Sequence, residues 1–322
     1  MVSVWCCIFN YTLYAIRYML IQEKLMKHNK FTLMVITCST LLFTACNSEL
    51  KKPASQSQSP TAILGAMPEE VAMLEGQLSR KNNRSIEGIK FVEGQLMGRN
   101  VVIAQTGTGK VNAAMTAAIL IDNFHPKQVI FTGIAGAVNP QLSPGDIVIA
   151  EKTAQHDHGI LTSSGLENTG AVSPITGRVN PVFFPADPAL LQLAEYAAKN
   201  VALKKTKTSE GEKSPGIMKG VVVTGDIFVA SPEKCEELRK TLGADAVEME
   251  GAAVAQVCYQ LGIPCIVIRS ISDNANEKAA EDMEKFYKIA AMNSASMVVG
   301  IVENLSPSPE PAAPKHVKKR HK

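Results

Sequence analysis

The chain has 322 residues, 46% of them hydrophobic and 20% charged, enough to fill one large globular core or two small ones. A formal net charge of +3, with much of the positive charge near the two ends, excludes a broad basic surface for nucleic acid. Beyond Cys46 only Cys235, Cys258 and Cys265 remain, set among apolar residues, which excludes a disulfide framework and leaves room for one pair at most.

Residues 1 to 25 include Arg17, Glu23 and Lys24, charges that sit awkwardly ahead of an export signal and point to Met26, or to Met19, as the true start. From Met26, the basic residues Lys27 and Lys30 precede an uncharged stretch from Phe31 to Ala45. That is the order of a secretory signal, and the stretch is too short for a comfortable transmembrane helix. Its end, Phe43-Thr-Ala-Cys46, resembles a bacterial lipobox. The resemblance implies a signal over residues 26–45, cleavage before Cys46, a lipid on that thiol, and a protein held on a membrane in the cell envelope. Residues 46–60 are rich in Ser, Gln, Lys and Pro and read as a flexible tether. At the other end, Ser306 to Pro314 and the basic run Lys315 to Lys322 have a composition that builds no core and read as a disordered tail.

Between these ends, apolar runs alternate with helical patterns over residues 61–305. Ala62 to Gly65 is a short strand ending in a glycine turn, and Glu69 to Leu78 places Val71, Leu74 and Leu78 at helical spacing. Phe91 to Leu96 and Asn100 to Gln105 form a hairpin around Met97-Gly-Arg99. An Ala-rich helix follows over Lys110 to Phe124, then strands over Gln128 to Thr132 and Asp146 to Ala150. Gly159 to Pro185 reads as a long loop from its Gly, Ser, Asn and Pro content. Helices are expected over Ala189 to Asn200, Pro232 to Leu242, Glu250 to Leu261 and Met283 to Glu303, and strands over Lys219 to Thr224 and Cys265 to Arg269. This rhythm predicts a single three-layer αβα domain around a central mixed, largely parallel sheet.

Thr106-Gly-Thr-Gly-Lys110 looks like a phosphate loop but fails its requirements. Ala104 stands where the first glycine is needed and Val111 where a hydroxyl must reach magnesium. His156-Asp-His158 has ligand-type side chains but too few partners for a metal. Three acids are better placed. Glu70 follows the first glycine turn, Glu250 opens a helix and Asp273 follows a strand, and ligands of α/β sheets bind at the carboxyl ends of strands.

Ala62-Ile-Leu-Gly-Ala-Met-Pro-Glu-Glu-Val71, Thr106-Gly-Thr-Gly-Lys-Val111, Phe131-Thr-Gly-Ile-Ala-Gly136 and Pro144-Gly-Asp-Ile-Val148 follow one another in the first half. Val223-Thr-Gly-Asp-Ile-Phe228, Val247-Glu-Met-Glu250 and Arg269-Ser-Ile-Ser-Asp273 follow in the second. In this order the motifs resemble the methylthioadenosine/S-adenosylhomocysteine nucleosidases of the purine nucleoside phosphorylase superfamily, over roughly residues 62 to 304. The resemblance implies a hydrolase that cleaves the N-glycosidic bond without metal or organic cofactor, in a homodimer whose partner closes each site. It implies Asp273 as general acid toward purine N7, Glu70 as general base for water, and Glu250 as acceptor of the ribose hydroxyls. Met249 would pack on the sugar, Phe228 stack on adenine and the Val229 backbone read the base edge, with Met67 and Ser272 completing the substrate-binding set. Glu70 also separates hydrolysis from phosphorolysis. The turn Gly65-Ala-Met-Pro-Glu-Glu70 carries two acids and no arginine, and a carboxylate repels phosphate but activates water.

Overall fold

The computed structural model describes residues 59–208 and 211–305. The expected signal, Cys46, all but the last two residues of the tether and the basic tail lie outside the described residues.

In chain order the elements are β1 (Thr61–Gly65), α1 (Pro68–Gln77), β2 (Ser79–Ile86), β3 (Ile89–Leu96), β4 (Arg99–Gln105), α2 (Lys110–Phe124), β5 (Gln128–Ala137) and β6 (Ile147–Gln155). There follow β7 (Gly159–Thr162), β8 (Gly165–Asn168), β9 (Phe183–Pro185), α3 (Pro188–Ala198), β10 (Thr206–Thr208), β11 (Gly211–Lys213) and β12 (Ile217–Thr224). The last are α4 (Pro232–Leu242), β13 (Ala246–Glu248), α5 (Gly251–Leu261), β14 (Cys265–Asp273) and α6 (Ala279–Glu303).

The fold is the expected α/β architecture around a mixed sheet, with strand order β13-β12-β6-β14-β5-β1-β4-β3-β2 and β9 on β6. Parallel pairing joins β4, β1, β5 and β14, and separately β6, β12 and β13, while antiparallel pairs make the β2–β3–β4 flank and the β14–β6 seam. Alternation along the central strands explains the layers. Ala62 and Leu64 of β1 and Val129 and Phe131 of β5 pack with α2 and α5, through residues such as Leu120 and Val254. Their neighbours Ile63 and Ile130 face the other way, into a core with Leu74 of α1, Leu190 of α3 and Val298 of α6. Both faces are covered, as a sheet with apolar residues at every position requires.

The sheet is not simply open. β13 pairs in parallel with β12 and antiparallel with β5, through Ala246↔Ala137 and Val247↔Gly136, so that β5, β14, β6, β12 and β13 close into a ring. The carboxyl-terminal residues of β5, β13 and β14 meet at one rim of this ring.

Several elements differ from the sequence reading. β2 is a polar edge strand, Ser-Arg-Lys-Asn-Asn-Arg-Ser-Ile, whose exposed side chains offer no hydrophobic alternation. The stretch read as a long loop holds the hairpin β7–β8 and the strand β9, which is annexed by β6. β5, β6 and β14 run several residues beyond their expected ends, and the extensions of β5 and β14 reach the rim.

Candidate active site

A cavity of about 250 Å³ opens at that rim. Its wall includes Met67, Glu70, Phe228, Met249, Glu250, Ser272 and Asp273. A smaller recess shares Phe228, Met249 and Asp273 with it and adds Val229. Every residue expected at the site is therefore brought to one place. Larger surface hollows lie elsewhere, one lined by Arg80 and Arg84 and another by Glu75 and Lys90, but neither contains a buried carboxylate.

Glu70 is placed by local chemistry. Pro68 opens α1 and puts Glu70 in its first turn, where Oε2 accepts the N–H of Ala66 at 2.6 Å and of Met67 at 2.9 Å. Oε1 accepts the Ile134 N–H from β5 at 3.0 Å. Three of about four acceptor directions of the carboxylate are thus used, and one remains on Oε1. The side chain is 2% exposed, and burial pushes its pKa up against the opposing pull of Arg269 and the three N–H donors. Such a close approach needs glycine at position 133, where a Cβ would lie 2.6 Å from Glu70 Oε1 and 2.1 Å from Arg269 Nη1.

Asp273 ends β14, rather than following it, and is also buried. Ser272 Oγ donates to its Oδ2 at 2.7 Å and the Ala275 N–H to its Oδ1 at 2.9 Å. Burial raises its pKa; these two hydrogen bonds pull the other way, and Asp282 adds to the rise. Unlike Glu70, it has no cation that opposes this rise.

Glu250 stands at the start of α5, as expected, and its Oε1 accepts the Gly109 N–H at 2.8 Å. Burial, with the neighbouring charge of Glu248, pushes its pKa up to about 8. Two groups at the centre of this arrangement were given no role on sequence grounds. Arg269 is wholly buried in β14, hydrogen-bonds Glu248, lies 3.8 Å from Glu250 Oε2 and stacks 4.3 Å from the centre of the Phe131 ring. Glu248 accepts from that arginine, from the Glu250 and Gly251 N–H groups and from Thr224 Oγ1. The signal was present in the sequence as an arginine inside the apolar run Cys265-Ile-Val-Ile-Arg-Ser-Ile-Ser, since a buried cation demands carboxylates around it.

Residues 60–303 match the family model of the phosphorylase superfamily. A methylthioadenosine/S-adenosylhomocysteine nucleosidase of Psychromonas ingrahamii is 39% identical over 76% of this chain and 98% of its own length. The Neisseria meningitidis nucleosidase of that name, solved with methylthio-immucillin-A, is 38% identical with a TM-score of 0.65, covering 77% of this chain and all of that one. A futalosine hydrolase of Helicobacter pylori is 31% identical at the same TM-score, over 77% of this chain and 98% of its own. The chain belongs to the phosphorylase superfamily, and within it to the methylthioadenosine/S-adenosylhomocysteine nucleosidases.

Proposed function

We propose that this protein hydrolyses the N-glycosidic bond of a purine nucleoside, methylthioadenosine or S-adenosylhomocysteine, to adenine and the thioribose product. The observation that carries the reading is a pair of buried carboxyl groups, Glu70 and Asp273, on one cavity whose described lining residues include no cation to hold phosphate. Arg269, the arginine beside Glu70, is itself engaged by Glu248 through a hydrogen bond and lies against the Glu250 carboxyl group.

Asp273 in its neutral form donates a proton to N7 of the departing base, between Phe228 and Val229 in the adjoining recess. Glu70 takes a proton from water through the free direction of Oε1, and the water oxygen bonds to the anomeric carbon as the C–N bond breaks. Glu250 accepts from the ribose hydroxyls and supports the positive charge that develops on the sugar. Met67, Ile134 and Met283 form one apolar patch on the cavity wall, which suits a 5′ alkylthio group and disfavours a 5′ phosphate. Purified protein is expected to release adenine from methylthioadenosine at the same rate with and without phosphate; strict phosphate dependence would make it a phosphorylase, and binding without turnover a non-catalytic relative.

We further propose the envelope location and the dimer implied by the sequence. The basic start and uncharged stretch ahead of Cys46 support the first. Cys46→Ser is expected to move the protein from the membrane to the soluble fraction, and wild type that keeps its leader and fractionates as soluble would overturn the anchor. Val111 and Met115 on α2 and Tyr259 on α5, each at least half exposed on neighbouring helices, support a covered face between two copies. Sedimentation equilibrium is expected to give a dimer, and a monomer at micromolar concentration would sink it.

A further inference from the structure

Asp157, which follows β6 and lines neither cavity, joins two pieces of chain that carry opposite sides of the site. Its Oδ1 accepts from Lys110 Nζ at 2.5 Å and its Oδ2 from the Asp226 N–H at 2.8 Å. Asp226 completes a ring of contacts, its own Oδ1 accepting the Lys110 N–H at 2.7 Å. The lysine and Asp157 side chains are 17% and 18% exposed, so solvent weakens this pair less than an ordinary surface ion pair. Burial alone would raise the pKa of Asp157, yet the Lys110 hydrogen bond and the Asp226 N–H hold it below the usual value. The ring is held by an ionised carboxylate at neutral pH.

Each half of the ring leads directly to a group on the cavity. Gly109, next to Lys110, donates its N–H to the Glu250 carboxylate. Asp226 is the second residue of the segment 225–231, which carries Phe228 and Val229 and has no helix or strand of its own. Val229, 6% exposed, packs into the core with Val223 and Leu238, while Phe228 is 45% exposed, so the stretch from Asp226 to Phe228 is the part that core packing leaves open. Its entry is fixed by a close approach of Gly225 to the His156 ring, where a Cβ would lie 2.3 Å from Nε2. Between Gly225 and the buried Val229 the chain is tied by the Asp157 carboxylate at the Asp226 N–H and by the Asp226 carboxylate at the Lys110 N–H.

We propose that Asp157 is a positioning residue for the hydrolysis, holding the Phe228–Val229 segment at a fixed separation from Glu250 through Lys110 and Asp226. Base and ribose are then gripped as one rigid unit, and the entropy of ordering the segment is spent before substrate arrives. The inference rests on the nucleoside reading of the cavity.

Asp157→Asn keeps the shape, but an amide oxygen accepts from only one donor position while its NH₂ opposes the other. KM for methylthioadenosine and the inhibition constant of adenine are expected to rise about tenfold, with kcat changed much less. Lys110→Met is expected to raise KM similarly, and the double variant to be no worse than either single one. A merely structural role would lower thermal stability and the active fraction while leaving KM in place. KM and adenine inhibition within twofold of wild type, or additive effects in the double variant, would overturn the positioning role. Wild type that releases no adenine would sink the nucleosidase reading itself, and the positioning role with it; wild-type turnover with an unmoved KM in the variants sinks only the latter.

Discussion

Asp273→Asn is expected to lower kcat by at least ~10²-fold while leaving KM and thermal stability close to wild type. The amide has the same size, and its oxygen can still accept the Ala275 N–H that bonds Asp273 Oδ1. What it lacks is a proton it can give away. The same substitution has a signature in pH. Burial raises the pKa of Asp273, and a general acid works only while protonated, so the wild-type rate is lost as pH rises through that value. Glu70, also raised by burial, works as a base only when ionised, so the rate is lost as pH falls through its own value. The profile of kcat/KM is expected to be bell-shaped, with its acid limb above the ordinary carboxylate range of about 4. Asp273→Asn removes the alkaline limb from the residual activity. A variant that keeps this limb, or that turns over within a few-fold of wild type, would take the proton-donor role away from Asp273.

The order of motifs makes the acids legible in the sequence itself, because each lies within a few residues of a strand end. Glu70, Glu250 and Asp273 can be read in this way, as can the central strands, whose residues are apolar on both faces. What cannot be read is contact between distant segments. Nothing around Asp157 or Asp226 in the sequence says that their groups meet, since 69 residues separate them. The pairing of β13 with β5 is equally hidden: Ala246 to Glu248 is too short to show periodicity, and it forms because strands on both sides supply partners. β2 escapes for the opposite reason, as a long strand stabilised on one edge by β3 while its side chains stay in water. Arg269 lies between these cases. Its burial is foreseeable from its apolar neighbours, but its partners Glu248 and Glu250 are about twenty residues away and meet it only because α5 begins where β13 ends.

Glu70→Gln is expected to reduce kcat by at least ~10²-fold and, unlike Asp273→Asn, to destabilise the protein by about 1–3 kcal/mol. The difference lies in what surrounds each carboxyl group. Both oxygens of Glu70 accept backbone N–H groups, Oε2 from Ala66 and Met67 and Oε1 from Ile134. Whichever way the glutamine amide turns, its NH₂ faces an N–H donor, leaving at least one buried donor unpaired. The raised pKa of Glu70 shows the same site from another side, since burial disfavours its charge more than Arg269 and three donors favour it. Once ionised it is a stronger base than a surface glutamate, which suits removal of a proton from water. Chemical denaturation at neutral pH and adenine release, measured on the same preparation, separate the two effects. Correcting the rate for the folded fraction should leave the catalytic loss intact. Full activity per folded molecule would leave Glu70 as a structural cap of α1 and assign activation of water to another group.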